Sequence, residues 1–149
     1  MLKKNIITLS LILFLANCGF TPIYLNNNNI NFSIEQVDYV GDRDLNNYLK
    51  INLDRYKSEK NNNKIFLNVE TKYNKNILSK DSTGKISSYQ LDVEAIFVIK
   101  STNKIIKITE KKIFESKDDK FEEARYVKSM KQSFAYSISN KLISELITN

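Results

Sequence analysis

The chain carries one thiol and no imidazole, so the covalent chemistry open to it converges on Cys18. Lys3 and Lys4 precede an apolar run of 11 residues, Ile6 to Ala16, and Asn17 and Cys18 follow directly. A run of that length suits the apolar region of an export signal and falls well short of the ~20 residues a membrane-spanning helix needs. A cysteine placed straight after such a run, in Leu15-Ala16-Asn17-Cys18, has the setting of a lipobox. There the thiol takes a diacylglycerol as a thioether, and the cysteine becomes the new N-terminus once residues 1–17 are removed. Asn17 departs from the Gly, Ala or Ser usual before the cysteine, a departure that bears on how efficiently the signal is processed.

Lipidation at Cys18 predicts lasting attachment, because burying acyl chains contributes ~0.8 kcal/mol per methylene and two or more chains hold a protein on a membrane. Gly19 follows, whereas retention at the inner membrane depends mainly on Asp at that position, so the expected location is the periplasmic side of the outer membrane. With Cys18 acylated, no thiol remains for a disulfide, and stability in an oxidising compartment has to come from the core.

The rest of the sequence offers little for catalysis. Without histidine or a second cysteine, zinc and transition-metal sites lose their usual ligands, and no carboxylate cluster with ligand spacing replaces them. A Ser-His-Asp arrangement is impossible, three glycines form no phosphate loop, and Glu35, Glu70 and Glu94 stand singly in strand patterns. The expectation is a non-enzyme with no cofactor and no metal.

Removing the first 17 of 149 residues leaves 132, enough for one domain and too few for two. Lys3 and Lys4 leave with the signal, so 21 basic and 17 acidic residues remain, a net charge of +4. That balance favours an anionic partner modestly. The chain is rich in Lys, Asn and Ile and poor in Gly, Pro, Ala and Arg throughout, a compositional drift that makes single lysines weak signals. An exported, acylated chain faces anionic lipid and lipopolysaccharide phosphates, so nucleic acid is not an expected partner.

Periodicity supplies the elements that must position any binding residues. Residues 18–31 read as the lipidated N-terminus and a tether with four consecutive asparagines, and residues 32–149 as a single domain. β-forming residues dominate 32–40, with a phase shift near Glu35 and Gln36 that predicts a bulge. Asp42 is placed to cap a helix carrying Leu45, Leu49, Leu53 and Tyr56 on one face. Two strands follow, Ile65 to Tyr73 and Tyr89 to Ile99, both alternating cleanly, with residues 74–88 as a projecting connection between them. A third run, 104–114, alternates poorly and predicts an edge strand or a bulge. A closing helix is expected from Phe121, Ala124, Val127, Met130, Phe134, Ile138, Leu142 and Leu146. The predicted fold is α+β, a four-stranded, largely antiparallel sheet with two helices on one face, in the order β-α-β-β-β-α.

The run Cys18-Gly19-Phe20-Thr21-Pro22-Ile23-Tyr24 resembles the C-G-F-x-P-[LI]-Y start of many proteobacterial members of the LptE family of lipopolysaccharide-assembly lipoproteins. The element order, the projecting connection with Gly84, the alternating run to Ile99 and the long closing helix resemble that family over essentially the whole mature chain. The resemblance implies a non-catalytic lipoprotein seated inside the lumen of an outer-membrane β-barrel, LptD, as plug and assembly partner, which binds lipopolysaccharide on its way to the outer leaflet. It marks Cys18 as the lipidated residue, with Phe20, Pro22 and Tyr24 near the membrane. A ligand with phosphates would be met by cations, and Lys80, Lys85, Lys111 and Lys112 are the candidates. A scaffold or pilotin-type lipoprotein of another envelope machine is the alternative reading.

Overall fold

The computed structural model describes residues 30–59 and 61–148. Strand β1 (Ser33–Gly41) leads into helix α1 (Arg43–Leu53) and a short 3-10 turn (Asp54–Tyr56). Strands β2 (Lys64–Lys80), β3 (Ile86–Ile99) and β4 (Lys104–Glu115) form a meander, and α2 (Lys120–Ile147) closes the chain. The single sheet has the order β1-β2-β3-β4. β1 runs parallel to β2, and the other two pairings are antiparallel.

The bulge expected near Glu35 and Gln36 is present: the register with β2 shifts between Ile34 and Gln36. It keeps Ile34, Val37 and Tyr39 on one side of the sheet despite their odd spacing, and all three belong to the core or pack on it. Asp42 caps α1, its carboxylate accepting from the Leu45 N–H at 2.8 Å. Leu45, Leu49 and Leu53 then point onto the sheet and are fully buried.

Both helices cover the same face. Leu67 and Val69 of β2, Leu91, Val93, Ala95 and Phe97 of β3, and Ile106, Ile108 and Phe114 of β4 meet Phe134, Ile138, Leu142 and Ile143 of α2 there. Burying a side chain of this size contributes ~1.5–3 kcal/mol each, so this one layer has to carry the stability.

Two expectations need correction, and the choice left open for the third run, edge strand or bulge, is settled. Residues 74–88 are not a loose connection: β2 continues to Lys80 and β3 starts at Ile86, so the projection is a paired hairpin closed by a short turn. Polar side chains hold it, with Asn76 Nδ2 donating to Asp92 at 2.8 Å and Ser79 bonded to Ser87 and Ser88 across the ladder. β4 is an edge strand with no bulge, since its register with β3 is unbroken from Lys104 to Glu115. On α2, Phe121 is 70% exposed and Ala124 also faces solvent, while Glu123 between them is buried. The first turn therefore presents its polar side to the sheet.

Candidate ligand-binding and docking surfaces

Cys18, Phe20, Pro22 and Tyr24 lie outside the described residues, as does the tether up to residue 29. The first described residue, Ile30, packs against the core, and the Asn61 side-chain amide donates to the carbonyls of Ile30 and Phe32 at 3.1 and 2.9 Å. The chain thus enters the domain where β1 begins, and Ser33 pairs with Lys64 at the start of β2. The hairpin turn between β2 and β3 lies at the opposite end of the same strands.

At that far end, Asp81 organises the turn. Its Oδ1 accepts from the Thr83 N–H at 2.8 Å, the Thr83 hydroxyl at 2.7 Å and the Lys85 N–H at 3.0 Å. These donors, the Thr83 hydroxyl foremost, hold the Asp81 carboxyl below its ordinary range. Gly84 takes φ +84°, a left-handed conformation that glycine adopts without steric cost. Lys80 and Lys85 flank this turn, and Lys85 Nζ reaches Asp118, before α2, at 2.6 Å. That contact pushes the lysine up and the aspartate down from their ordinary pKa values. The other two candidate lysines are elsewhere. Lys112 pairs with Leu91 and Lys80 with Ile86, which separates the two rungs by ~17 Å at ~3.4 Å per residue. Lys111 and Lys112 are neighbours on one strand and point to opposite faces. The four candidate lysines therefore do not converge on one point.

Among the described residues no helix covers the second face of the sheet. Across its middle runs a ladder of alternating charge: Lys72 lies 3.1 Å from Glu70 and 3.7 Å from Glu94, and Lys107 lies 2.7 Å from Glu94. Lys107 foremost holds Glu94 below its ordinary range, and Glu70 foremost pushes Lys72 up. Lys111 continues the ladder at 3.8 Å from Asp92. A shallow depression of about 410 Å³ opens between Lys72, Asn74, Glu94, Thr109 and Lys111. These are exposed pairs, screened by water and individually of little weight for stability. Their effect is to make the face polar and nearly neutral.

Of the ionic contacts that join α2 to the rest, two lie deepest, and neither is foreshadowed by sequence. Glu123 accepts from Lys75 at 2.6 Å, the Ser116 hydroxyl at 3.2 Å and the Lys117 N–H at 3.1 Å. Lys75 foremost lowers its pKa, to about 2. Lys75 also sits 3.8 Å from the centroid of the Tyr89 ring, at the end of a row in which Tyr89 stacks on Phe114 and Phe114 meets Tyr126. Lys131 forms the second clasp, donating to both oxygens of Asp42 at 3.0 and 2.8 Å beside the Tyr73 ring. Burial pushes the Tyr73 hydroxyl up to about 12. In a lysine-rich chain nothing in composition marks Lys75 or Lys131 from the rest; only their places between α2 and the elements it packs on do. Among the described residues no group of three or more acidic or thiol ligands could hold a metal ion, and no helix is long and apolar enough to cross a membrane.

No family model and no curated protein sequence matches the chain. Solved structures do. The crystal structure of rare lipoprotein B from Shewanella oneidensis superposes with a TM-score of 0.54 at 18% identity, covering 76% of this chain and 98% of that one. The chain shares its fold with this lipoprotein. The same lipoprotein fold is seen in a minor lipoprotein from Acinetobacter baumannii (TM-score 0.50, 17% identity, 74% and 93% covered). It is seen again in lipoprotein B from Nitrosomonas europaea (TM-score 0.52, 14% identity, 80% and 89% covered). In all three the likeness takes in most of both chains.

Proposed function

We propose that the chain is a non-catalytic outer-membrane lipoprotein of the LptE type, anchored through Cys18, which plugs and helps to assemble an LptD-like β-barrel and binds lipopolysaccharide during its delivery to the outer leaflet. The observation that carries the reading is the fold shared with nearly the full length of rare lipoprotein B, the LptE family, in a chain whose Cys18 opens the C-G-F-T-P-I-Y run. Physical features support it. The lumen of an outer-membrane barrel is polar, and the uncovered sheet face, with Asn68, Glu70, Lys72, Asp92, Glu94 and Lys107, matches such a wall without burying an unpaired charge. Lys80 and Lys85 at the turn are the cations best placed for the phosphates of lipid A, since they flank one rigid loop.

Purification from gently solubilised outer membranes tests the reading. The expected result is a complex holding one copy of this chain and one large β-barrel, and misfolding of that barrel when the chain is depleted. A barrel that stays folded and abundant without the chain, or recovery of a different envelope machine, overturns it; the latter outcome supports the scaffold or pilotin reading.

A further inference from the structure

We infer that the end of the sheet where the chain enters rests on an anionic lipid surface, through Phe66, Val98 and Ile105 ringed by Lys64, Lys100 and Lys104. The uncovered sheet face is not uniform along its strands. Rungs nearer the hairpin turn carry Lys72, Glu94, Asp92 and Lys111, whereas at the entry end Val98 pairs with Ile105, and Phe66 lies two rungs further out on the same face. Ile105 is 65% and Phe66 37% exposed, large apolar surfaces with no core to serve. The lysines gather at the same end by register: Lys64 opposite Ser33, Lys104 opposite Ile99, and Lys100 joined through its N–H to the Phe66 carbonyl at 2.9 Å. Glu35 lies 3.8 Å from Lys64 and Asp38 2.6 Å from Lys100, while Lys104 has no acidic partner among the described residues. Apolar side chains fringed by lysine are the composition that holds a protein at the boundary between headgroups and acyl chains. Lysines near an anionic surface add electrostatic attraction to that apolar contact.

The tether selects lipid over other partners. Eleven residues lie between Cys18 and Ile30, a reach of at most ~40 Å fully extended. Because Ile30 and Phe32 are fixed at the entry end, that end is the part of the domain an acylated Cys18 draws toward the leaflet. The hairpin turn is held away from it by the length of β2. The inference rests on the anchor in the proposed function and not on the barrel.

The test places a single reporter on the acylated full chain, whose native thiol is occupied by lipid. Ile105→Cys and Thr83→Cys, one at the entry end and one in the hairpin turn, are each labelled with an environment-sensitive fluorophore. The chains are reconstituted into vesicles of phosphatidylethanolamine and phosphatidylglycerol bearing brominated acyl chains. Quenching at position 105 is expected to exceed that at 83 by at least threefold, and to fall by half or more in Lys64→Gln/Lys100→Gln/Lys104→Gln. Equal quenching at the two positions overturns the footing. So does a label at 105 that stays in water on vesicles and becomes shielded only when a barrel partner is added, which marks the patch as a protein contact. Intact mass separates the two readings: a chain lacking lipid on Cys18 refutes the anchor, and a lipidated chain whose label at 105 remains in water refutes the footing alone. Both substituted positions are exposed, and unchanged circular dichroism confirms that the fold survives.

Discussion

Lys75 Nζ lies 2.6 Å from Glu123 Oε1, joining the middle of β2 to the first turn of α2. The glutamate side chain is 7% exposed and the lysine 28%, so water screens the pair only in part. Removing the carboxylate in Glu123→Ala leaves Lys75 without its acceptor and two more donors, Ser116 and the Lys117 N–H, without theirs. The expected loss is about 2 kcal/mol of stability, read by urea unfolding; a loss below about 0.5 kcal/mol would show the clasp to be dispensable.

The same pair sets an acid limit. Folding lowers the Glu123 pKa from 4.5 to about 2. A carboxylate with a depressed folded pKa contributes stability that is complete above its unfolded value and is lost as pH falls through the folded one. The melting temperature of the native chain should therefore drop between pH 4.5 and 2 more steeply than that of Glu123→Gln, and the two curves should converge at the acid end. Parallel curves would place the acid sensitivity elsewhere.

Gly41 and Gly84 both have positive φ, yet substitution should separate them. A Cβ on Gly41 would sit 1.9 Å from the Thr71 carbonyl oxygen, a backbone atom of the paired strand, whereas one on Gly84 meets nothing within 4 Å. Gly84→Ala is expected to cost about 1 kcal/mol from conformation alone. Gly41→Ala must push β1 off β2 and should cost at least 3 kcal/mol or prevent folding. Thermal melts of the two variants check the order.

Among the four candidate lysines, Lys80→Gln/Lys85→Gln is expected to weaken binding of lipopolysaccharide several-fold, and Lys111→Gln/Lys112→Gln to change it less than twofold, because only the first pair flanks one turn. All four positions are exposed, so melting temperatures should stay within about 2 °C of the parent. A larger effect from the second pair would move the binding surface to the β4 edge.

Processing at Cys18 gives a covalent readout. Asn17→Ala should speed maturation, and Cys18→Ser should give a product without the mass of a diacylglycerol thioether and released from membranes. Equal membrane retention of Cys18→Ser would remove the anchor.

Much of this architecture was legible before any coordinates. Alternation in Ile65 to Tyr73 and Tyr89 to Ile99 gave the buried sides of β2 and β3, and the phase slip at Glu35 gave the bulge, because burial on one face imposes a period of two and a bulge breaks it. The hairpin beyond Tyr73 was misread since Asn74, Asn76 and Ser79 favour turns intrinsically, and only their partners Asp92, Ser87 and Ser88 turn them into strand. Phe121 misled for the opposite reason. It fits a helical stripe, but the stripe begins at Glu123, whose burial depends on a lysine 48 residues earlier. Contacts of that range leave no periodic trace. Of the candidate site, Lys80 and Lys85 could be read as turn-flanking residues from Asp81-Ser82-Thr83-Gly84, and alternation already puts Lys111 and Lys112 on opposite faces, which the unbroken register of β4 bears out.

The parallel partnership of β1 and β2 carries a kinetic implication. β2, β3 and β4 are joined by short reversals and can zip together from neighbouring segments, but β1 reaches its place only after the chain has travelled through α1 and returned. Closing that longer circuit is the slower event. Pulse-labelled hydrogen exchange should find the amides of the meander shielded before those of Ser33–Gly41, so that the strand first in sequence among those described is the last to be secured.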